Sequence, residues 1–321
     1  MPALTVTNHV HQMLLWESPD DLLTAAVPFL RAGLTAGDAA ILACRDEYNA
    51  LLAGALGRDP RVDRVRSAGI YTRAAVTAET YRRLINQRID AGARRVRVVG
   101  EPNFGTGPDA WAECERYEAI VNVALAACRV TTTCALDART LPAPVIEDLI
   151  TAHPFVLTPA GRVPNERYVD PATSLRRSAP GPDPVEWTGP AVEFAAVTDL
   201  HQVPDLRHQL RVALDTYGVA RRIGENVVAA VHELVVNGLV HGRAPVRVRF
   251  WVPPGRLVCM VTDTGQGFDD PLAGYARPAA DNPIGTGTGL WLARQLCDRI
   301  EMVRTRSGFT VRLSISTREA S

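Results

Sequence analysis

From His11 to about Pro171 the chain alternates short apolar runs with longer segments in which apolar residues recur at helical spacing. The runs QMLLW (12–16), AAILAC (39–44), RVRVVG (95–100), TTTCALD (131–137) and FVLT (155–158) predict strands, and residues 20–34, 45–56, 77–92, 108–127 and 142–152 predict helices. Such alternation is the sequence form of repeated βαβ units, so a mainly parallel α/β sheet is expected. Ser18, Pro19 and Asp21 announce the first helix. A hydroxyl acceptor at the N-cap, a fixed φ in the first turn and a negative charge at N3 all suit its unpaired N–H groups.

The pattern breaks at residues 174–190, SLRRSAPGPDPVEWTGP, where Pro, Gly and charge leave neither period. This stretch reads as a linker between a domain at 1–173 and another at 191–321. In the second domain a strand is expected at 191–197, helices at about 202–217 and 219–241, strands at 244–252 and 256–263, a helix from Leu290, and two final strands. Hairpins around PPG (253–255) and SG (307–308) make its sheet mixed rather than purely parallel.

Length supports this division, since 321 residues exceed the ~250 at which single cores stop growing. Lys plus Arg and Asp plus Glu balance at 35 each, so no global field draws nucleic acid or an anionic membrane, and neither is expected as a direct partner. All the basic residues are arginines; without lysine a Walker A phosphate loop cannot exist in this chain. The cysteines (Cys44, Cys114, Cys128, Cys134, Cys259 and Cys297) lie mostly in apolar runs with no C-x-x-C pair, and read as buried thiols of a reducing compartment. The opening MPALTVTNHVHQ has neither a basic nor an apolar leader region, and no run approaches the ~18 apolar residues of a membrane span. A cytoplasmic protein is expected.

Candidate chemistry concentrates in the second domain. In the helix that ends HELVVNGLVHG, Val227, Val231, Leu234 and Gly238 form the apolar stripe, while Asn226, Glu233, Asn237 and His241 share another face. Glu233 and Asn237 are one turn apart, so their side chains overlie each other. A carboxylate beside an amide oxygen suits Mg2+ bound to a nucleotide, which needs only a ligand or two from protein; an ordinary solvated helix face would look the same. RLVCMVTDTGQGFDD (256–270) reads as a buried strand delivering Asp263 into a Gly-x-Gly turn, where a carboxylate can accept from the adenine amine and glycine lets the chain approach the base. GTGTGLWLARQL (285–296) brings alternate glycines to a helix N-terminus, a place for phosphate oxygens.

Taken in order, Glu-x-x-x-Asn, Asp-x-Gly-x-Gly and Gly-x-Gly-x-Gly-Leu resemble the N, G1 and G2 boxes of the GHKL ATPases, the superfamily of gyrase, histidine kinases and MutL. The resemblance runs from about Gln202 to the C-terminus. It implies a two-layer α/β sandwich, the Bergerat fold, that binds ATP and Mg2+ under a lid at about residues 268–288. By match, Asn237 resembles the Mg2+ ligand, Glu233 the catalytic base and Asp263 the adenine reader; Gly265, Gly267, Gly285, Gly287, Gly289 and Leu290 resemble the nucleotide-binding positions. Thr310, in GFTVRL, looks like the late threonine that supports the adenine contact. Gly238 departs from the alanine usual after the asparagine.

Within GHKL, the chain most resembles the RsbW and SpoIIAB anti-sigma factors, which open with a helix like LRHQLRVALDTYGV before the Glu-Leu-Val-x-Asn helix. That resemblance implies serine-protein kinase activity, with a sigma factor and a STAS-fold anti-anti-sigma protein as partners, in transcription regulation and stress response. Neither His201 nor His208 carries the acidic residue and Arg-Thr-Pro pattern that follows a phospho-accepting histidine. An ATP-gated binding protein without phosphoryl transfer and an orphan sensor histidine kinase are the alternatives, and a homodimer is open.

The N-terminal domain resembles the MEDS domain, the methanogen/methylotroph DcmR sensory domain, through PFLRAGLTAGDAAILA, GEPNF (100–104), RYEAIVNVAL (116–125), CALDAR (134–139) and HP (153–154). Where a RecA-like relative would carry a phosphate loop, this chain has WESPDD, so the RecA-like sheet is expected without ATP. Glu101, Tyr117, Glu118, Asn122, Asp137 and His153 are candidates to line a sensory pocket for a small molecule or protein, at the strand ends where open α/β sheets bind ligands; alternatively they satisfy one another within the fold.

Overall fold

The structure, a computed structural model, describes residues 8–177, 191–278, 287–305 and 308–317. The chain divides into two compact units, Met1–Ala179 and Pro180–Ser321.

In the first unit β1 (His9–Trp16), β2 (Ala39–Ala43), β3 (Val62–Arg64), β4 (Val96–Gly100), β5 (Val130–Asp137), β6 (Phe155–Thr158) and β7 (Gly161–Pro164) form one sheet in the order β3-β2-β4-β5-β1-β6-β7. Its pairings are parallel except for the closing β6–β7 hairpin. Helices α1 (Pro19–Thr35), α2 (Asp46–Leu56), α3 (Ala74–Asp90), α4 (Pro108–Ala124), α5 (Ala143–Thr151) and α6 (Pro171–Arg177) connect and cover the strands. Alternation along β1 sends Leu14 and Trp16 into a core with α1 and α2, and Met13 into another with α4 and α5. Because both faces are covered, β2 and β5 are buried at every position.

Two strands lie outside the sequence expectation. β3 and β7 are short edge strands, half-buried at best, so they lack the apolar run that marks a strand. The expected linker also starts late, because α6 runs through residues 174–177. Asp170 caps that helix by accepting from Thr173 N at 3.0 Å. Residues 178–190 lie outside the described residues.

In the second unit β8 (Val192–Glu193), β9 (Arg247–Trp251), β10 (Arg256–Asp263), β11 (Arg299–Thr305) and β12 (Gly308–Ser316) form a sheet in the order β11-β12-β10-β9-β8. Helices α7 (Val203–Thr216), α8 (Arg221–Val240) and α9 (Thr288–Leu296) share a core with the sheet. Every pairing among the described residues is antiparallel, which corrects the expectation of a mixed sheet. β10 and β11 do run in the same direction, but β12 inserts between them and pairs antiparallel with both. α8 is long and apolar enough by composition to cross a membrane. Its Val227, Val231 and Leu234 are instead buried with Val248, Phe250, Cys259 and Leu313 of the sheet.

Candidate nucleotide site

Glu233 and Asn237 stand one turn apart on α8, each half-buried. The first turn of α9 closes over them: a Cβ added to Gly289 would lie 2.6 Å from Glu233 Oε2 and 3.2 Å from Asn237 Nδ2. A side chain there would push the end of the Glu233 side chain aside. Gly287 is the N-cap of α9 with φ 91°, a left-handed turn that glycine adopts without strain. The unpaired N–H groups and positive dipole end of α9 therefore lie beside the acid and the amide.

Asp263, at the end of β10, is 6% exposed and sits in a fold of backbone. Its Oδ1 accepts from Gly265 N at 2.7 Å and from Arg243 N at 3.3 Å. Gly242 and Gly265 permit that wrap, since a Cβ on either would come within 2.6 Å and 2.7 Å of the same oxygen. Both bonds fall on Oδ1, so among the described residues Oδ2 is left to accept from a ligand. Thr264 fastens the wrap, its N donating to Arg243 O at 2.8 Å and its hydroxyl to Ala244 O at 3.0 Å. Gly242 and Arg243 act here through backbone geometry, for which no sequence motif was available.

The sequence match places Thr310 beside the adenine reader, and the structure corrects this. In the β10–β12 register Asp263 faces Phe309, whereas Thr310 faces Thr262 and the two hydroxyls bond at 2.9 Å. Neighbouring residues of a strand point to opposite faces, so Thr310 lies on the side of the sheet away from Asp263. Gly267, with φ 58°, is held by Phe309 itself, whose ring a Cβ would overlap, so its glycine answers first to packing within the chain. Leu290 is core, 8% exposed, with Gly274 packed on it. Of the expected lid, residues 268–278 and 287–288 are described: Arg294 of α9 donates to Ala273 O at 2.8 Å and lies over the Tyr275 ring. Gly285 lies outside the described residues.

In the first unit the six sensory candidates do not share one pocket. Glu101 and Asp137, at the ends of β4 and β5, are bridged by Arg45, and Asp137 is gripped also by Arg139. Tyr117 packs among Tyr71, Tyr81 and Phe104. Glu118, Asn122 and His153 belong to a separate buried group with His11 and Cys134, two residues that local sequence spacing did not single out. Burial, reinforced by His153, holds His11 down at about 4. Burial alone would raise Glu118, but His153 and His11 outweigh it and hold the carboxyl at about 2. Burial pushes the Cys134 thiol well above its ordinary value.

Comparison with known proteins bears on both units. Residues 10–154 match the family described as the MEthanogen/methylotroph, DcmR Sensory domain, MEDS, and residues 196–315 match the histidine kinase-like ATPase domain. No match is found among curated proteins. A solved structure of the RsbU and RsbW domains of Rv1364c from Mycobacterium tuberculosis is similar at 20% identity over 40% of this chain and 32% of that one, with a TM-score of 0.30. This chain therefore spans well under half of that protein, and the superposition is too weak to bear on function. The family matches coincide with the two sheets and with the elements that gather Glu233, Asn237 and Asp263, and the chain is accordingly a MEDS domain followed by a histidine kinase-like, GHKL-type ATPase domain.

Proposed function

We propose that this protein is an ATP-dependent serine-protein kinase and anti-sigma factor. It binds a sigma factor, phosphorylates a serine on a STAS-fold anti-anti-sigma protein, and is controlled by a signal received in its MEDS domain. On this reading it acts in the cytoplasm, in transcription regulation and stress response. The reading is carried by the closure of α9 over Glu233 and Asn237, with Asp263 wrapped against the C-terminal end of α8 at Gly238 and Gly242.

The residues fit Mg·ATP. The free Oδ2 of Asp263 suits the adenine amine, the Asn237 carboxamide suits a metal that keeps most of its waters, and the glycine-bordered start of α9 suits phosphate oxygens. Bound Mg·ATP supplies the phosphoryl group and neutralises its charge. Glu233 orients the seryl hydroxyl and accepts its proton, while Gly289 keeps the space above that carboxylate open.

Incubation with radiolabelled ATP and candidate STAS proteins tests this. Wild type should yield acid-stable phosphoserine, and Glu233→Gln should still bind Mg·ATP while transfer falls ~10²-fold or more. Asn237→Ala should weaken binding and transfer together. ATP binding with no transfer to any STAS partner would instead indicate a nucleotide-gated binder, and acid-labile phosphate a histidine kinase.

A further inference from the structure

We infer that the MEDS domain holds a buried site for a zinc-type divalent transition metal, ligated by His11 Nε2, Glu118, Cys134 Sγ and His153 Nε2. The four ligand atoms lie within 4.8 Å of one another, and none of the four residues is more than 4% exposed.

Hydrogen bonds around the group settle which imidazole nitrogens carry protons. Leu149 O can only accept, so His153 Nδ1, 2.7 Å away, is the donor. Asn122 Nδ2 donates to Glu118 O at 3.1 Å and to Ala152 O at 3.2 Å. Its Oδ1 is thereby turned to His11 Nδ1 at 3.1 Å, which must donate as well. In the neutral rings both Nε2 atoms then present lone pairs inward. They converge on Glu118 Oε2, at 3.0 Å from His11 and 3.1 Å from His153.

Three acceptors pointed at one another in a dry interior repel unless a proton or a metal cation lies among them. His153 Nε2 and Glu118 Oε1 have no hydrogen-bond partner although both are buried. The remaining corner is Cys134 Sγ, whose S–H donates to Glu118 Oε2 at 3.1 Å and which lies 3.3 Å from His11 Nε2. Tetrahedral zinc with bonds of ~2.0–2.3 Å separates its donors by ~3.3–3.8 Å, so the closest pairs need to open by a few tenths of an ångström and the widest, within 4.8 Å, to close by up to ~1 Å.

Two imidazoles, a carboxylate and a thiolate form a borderline donor set that favours zinc over magnesium or calcium. Asn122 and Leu149 already orient the two rings through their outer nitrogens, as partners outside a metal site do. Binding exchanges the Cys134 proton for the metal: the S–H bond breaks, the metal–sulfur bond forms, and H+ is released. A 2+ ion with one carboxylate and one thiolate is then neutral, which suits a site walled off from water. The inference does not depend on the kinase reading.

The test uses the full-length chain, stripped with chelator, kept reduced and titrated with Co2+. One equivalent should bind with thiolate-to-cobalt charge-transfer absorption and be displaced by Zn2+. Cys134→Ser should lose that absorption, and His153→Gln should weaken Co2+ binding by ~100-fold or more, the upper end of what outer partners alone contribute. Should either variant misfold, Zn2+ should still raise the melting temperature of wild type. Folded, stripped wild type with no charge-transfer band and no Zn2+-dependent melting shift would overturn the proposal and leave a shared proton in the cluster. A band unchanged in Cys134→Ser would also overturn it.

Discussion

Asp263 holds the backbone of Gly265 and Arg243 through Oδ1, and under the proposed function its Oδ2 reads the base. The two can be separated. Asp263→Asn can keep an oxygen toward the backbone while turning an amide donor toward the adenine amine, so the fold should survive. ATP affinity should fall at least tenfold, because a mismatched buried polar group costs ~1–3 kcal/mol; calorimetry measures this, and unchanged affinity would remove Asp263 from the base site. Gly289→Ala makes a complementary case. Alanine favours a helix by ~1 kcal/mol over glycine, so the melting temperature should hold or rise. Its methyl would displace Glu233, and phosphoryl transfer should drop; a fully active variant would show that α9 need not approach so closely. Glu233, Asn237 and Asp263 stood out as candidates because each belongs to a short local spacing. Thr310 was misread because which face it occupies depends on pairing across the sheet, and the pairing of His11 with Cys134 was not visible because 123 positions separate them.

At the scale of elements, legibility followed burial. The inner strands of the parallel sheet were visible as apolar runs because both faces are covered, and the edge strands β3 and β7 were not. The start of α1 was legible in full. Asp21 N donates to Ser18 Oγ at 3.2 Å, and Ser18 N donates back to Asp21 Oδ2 at 2.9 Å. Ser18→Ala should therefore cost ~0.5–2 kcal/mol, read by denaturant unfolding of the first unit. The Ser18 hydrogen bond, with that from Glu17 N, lowers the Asp21 carboxyl below its ordinary value. Its contribution is thus complete above the unfolded-state carboxylate pKa and is lost as pH falls through the folded one. The gap between wild type and Ser18→Ala should narrow in acid; a gap that widens would contradict the reciprocal cap.

Over the whole molecule, the two units have separate cores and separate chemistry, and a fragment of residues 1–177 carries its complete sheet. It should fold alone and show no saturable binding of ATP, whereas residues 191–321 should bind ATP; saturable ATP binding by the first fragment would overturn the assignment. The division was legible from the change of pattern, but not the order of strands within each sheet, which depends on contacts between distant segments. One such ordering governs synthesis. β12 comes last among the strands yet lies inside the sheet, bonded to β10 on one side and to β11 on the other. Until residues 308–316 leave the ribosome, β10 has an open edge and β11 has no place to pair. At ~5–20 residues per second the first unit can be finished well before that moment. A nascent chain can therefore carry a completed sensory domain while its nucleotide site still waits for the strand that closes the sheet.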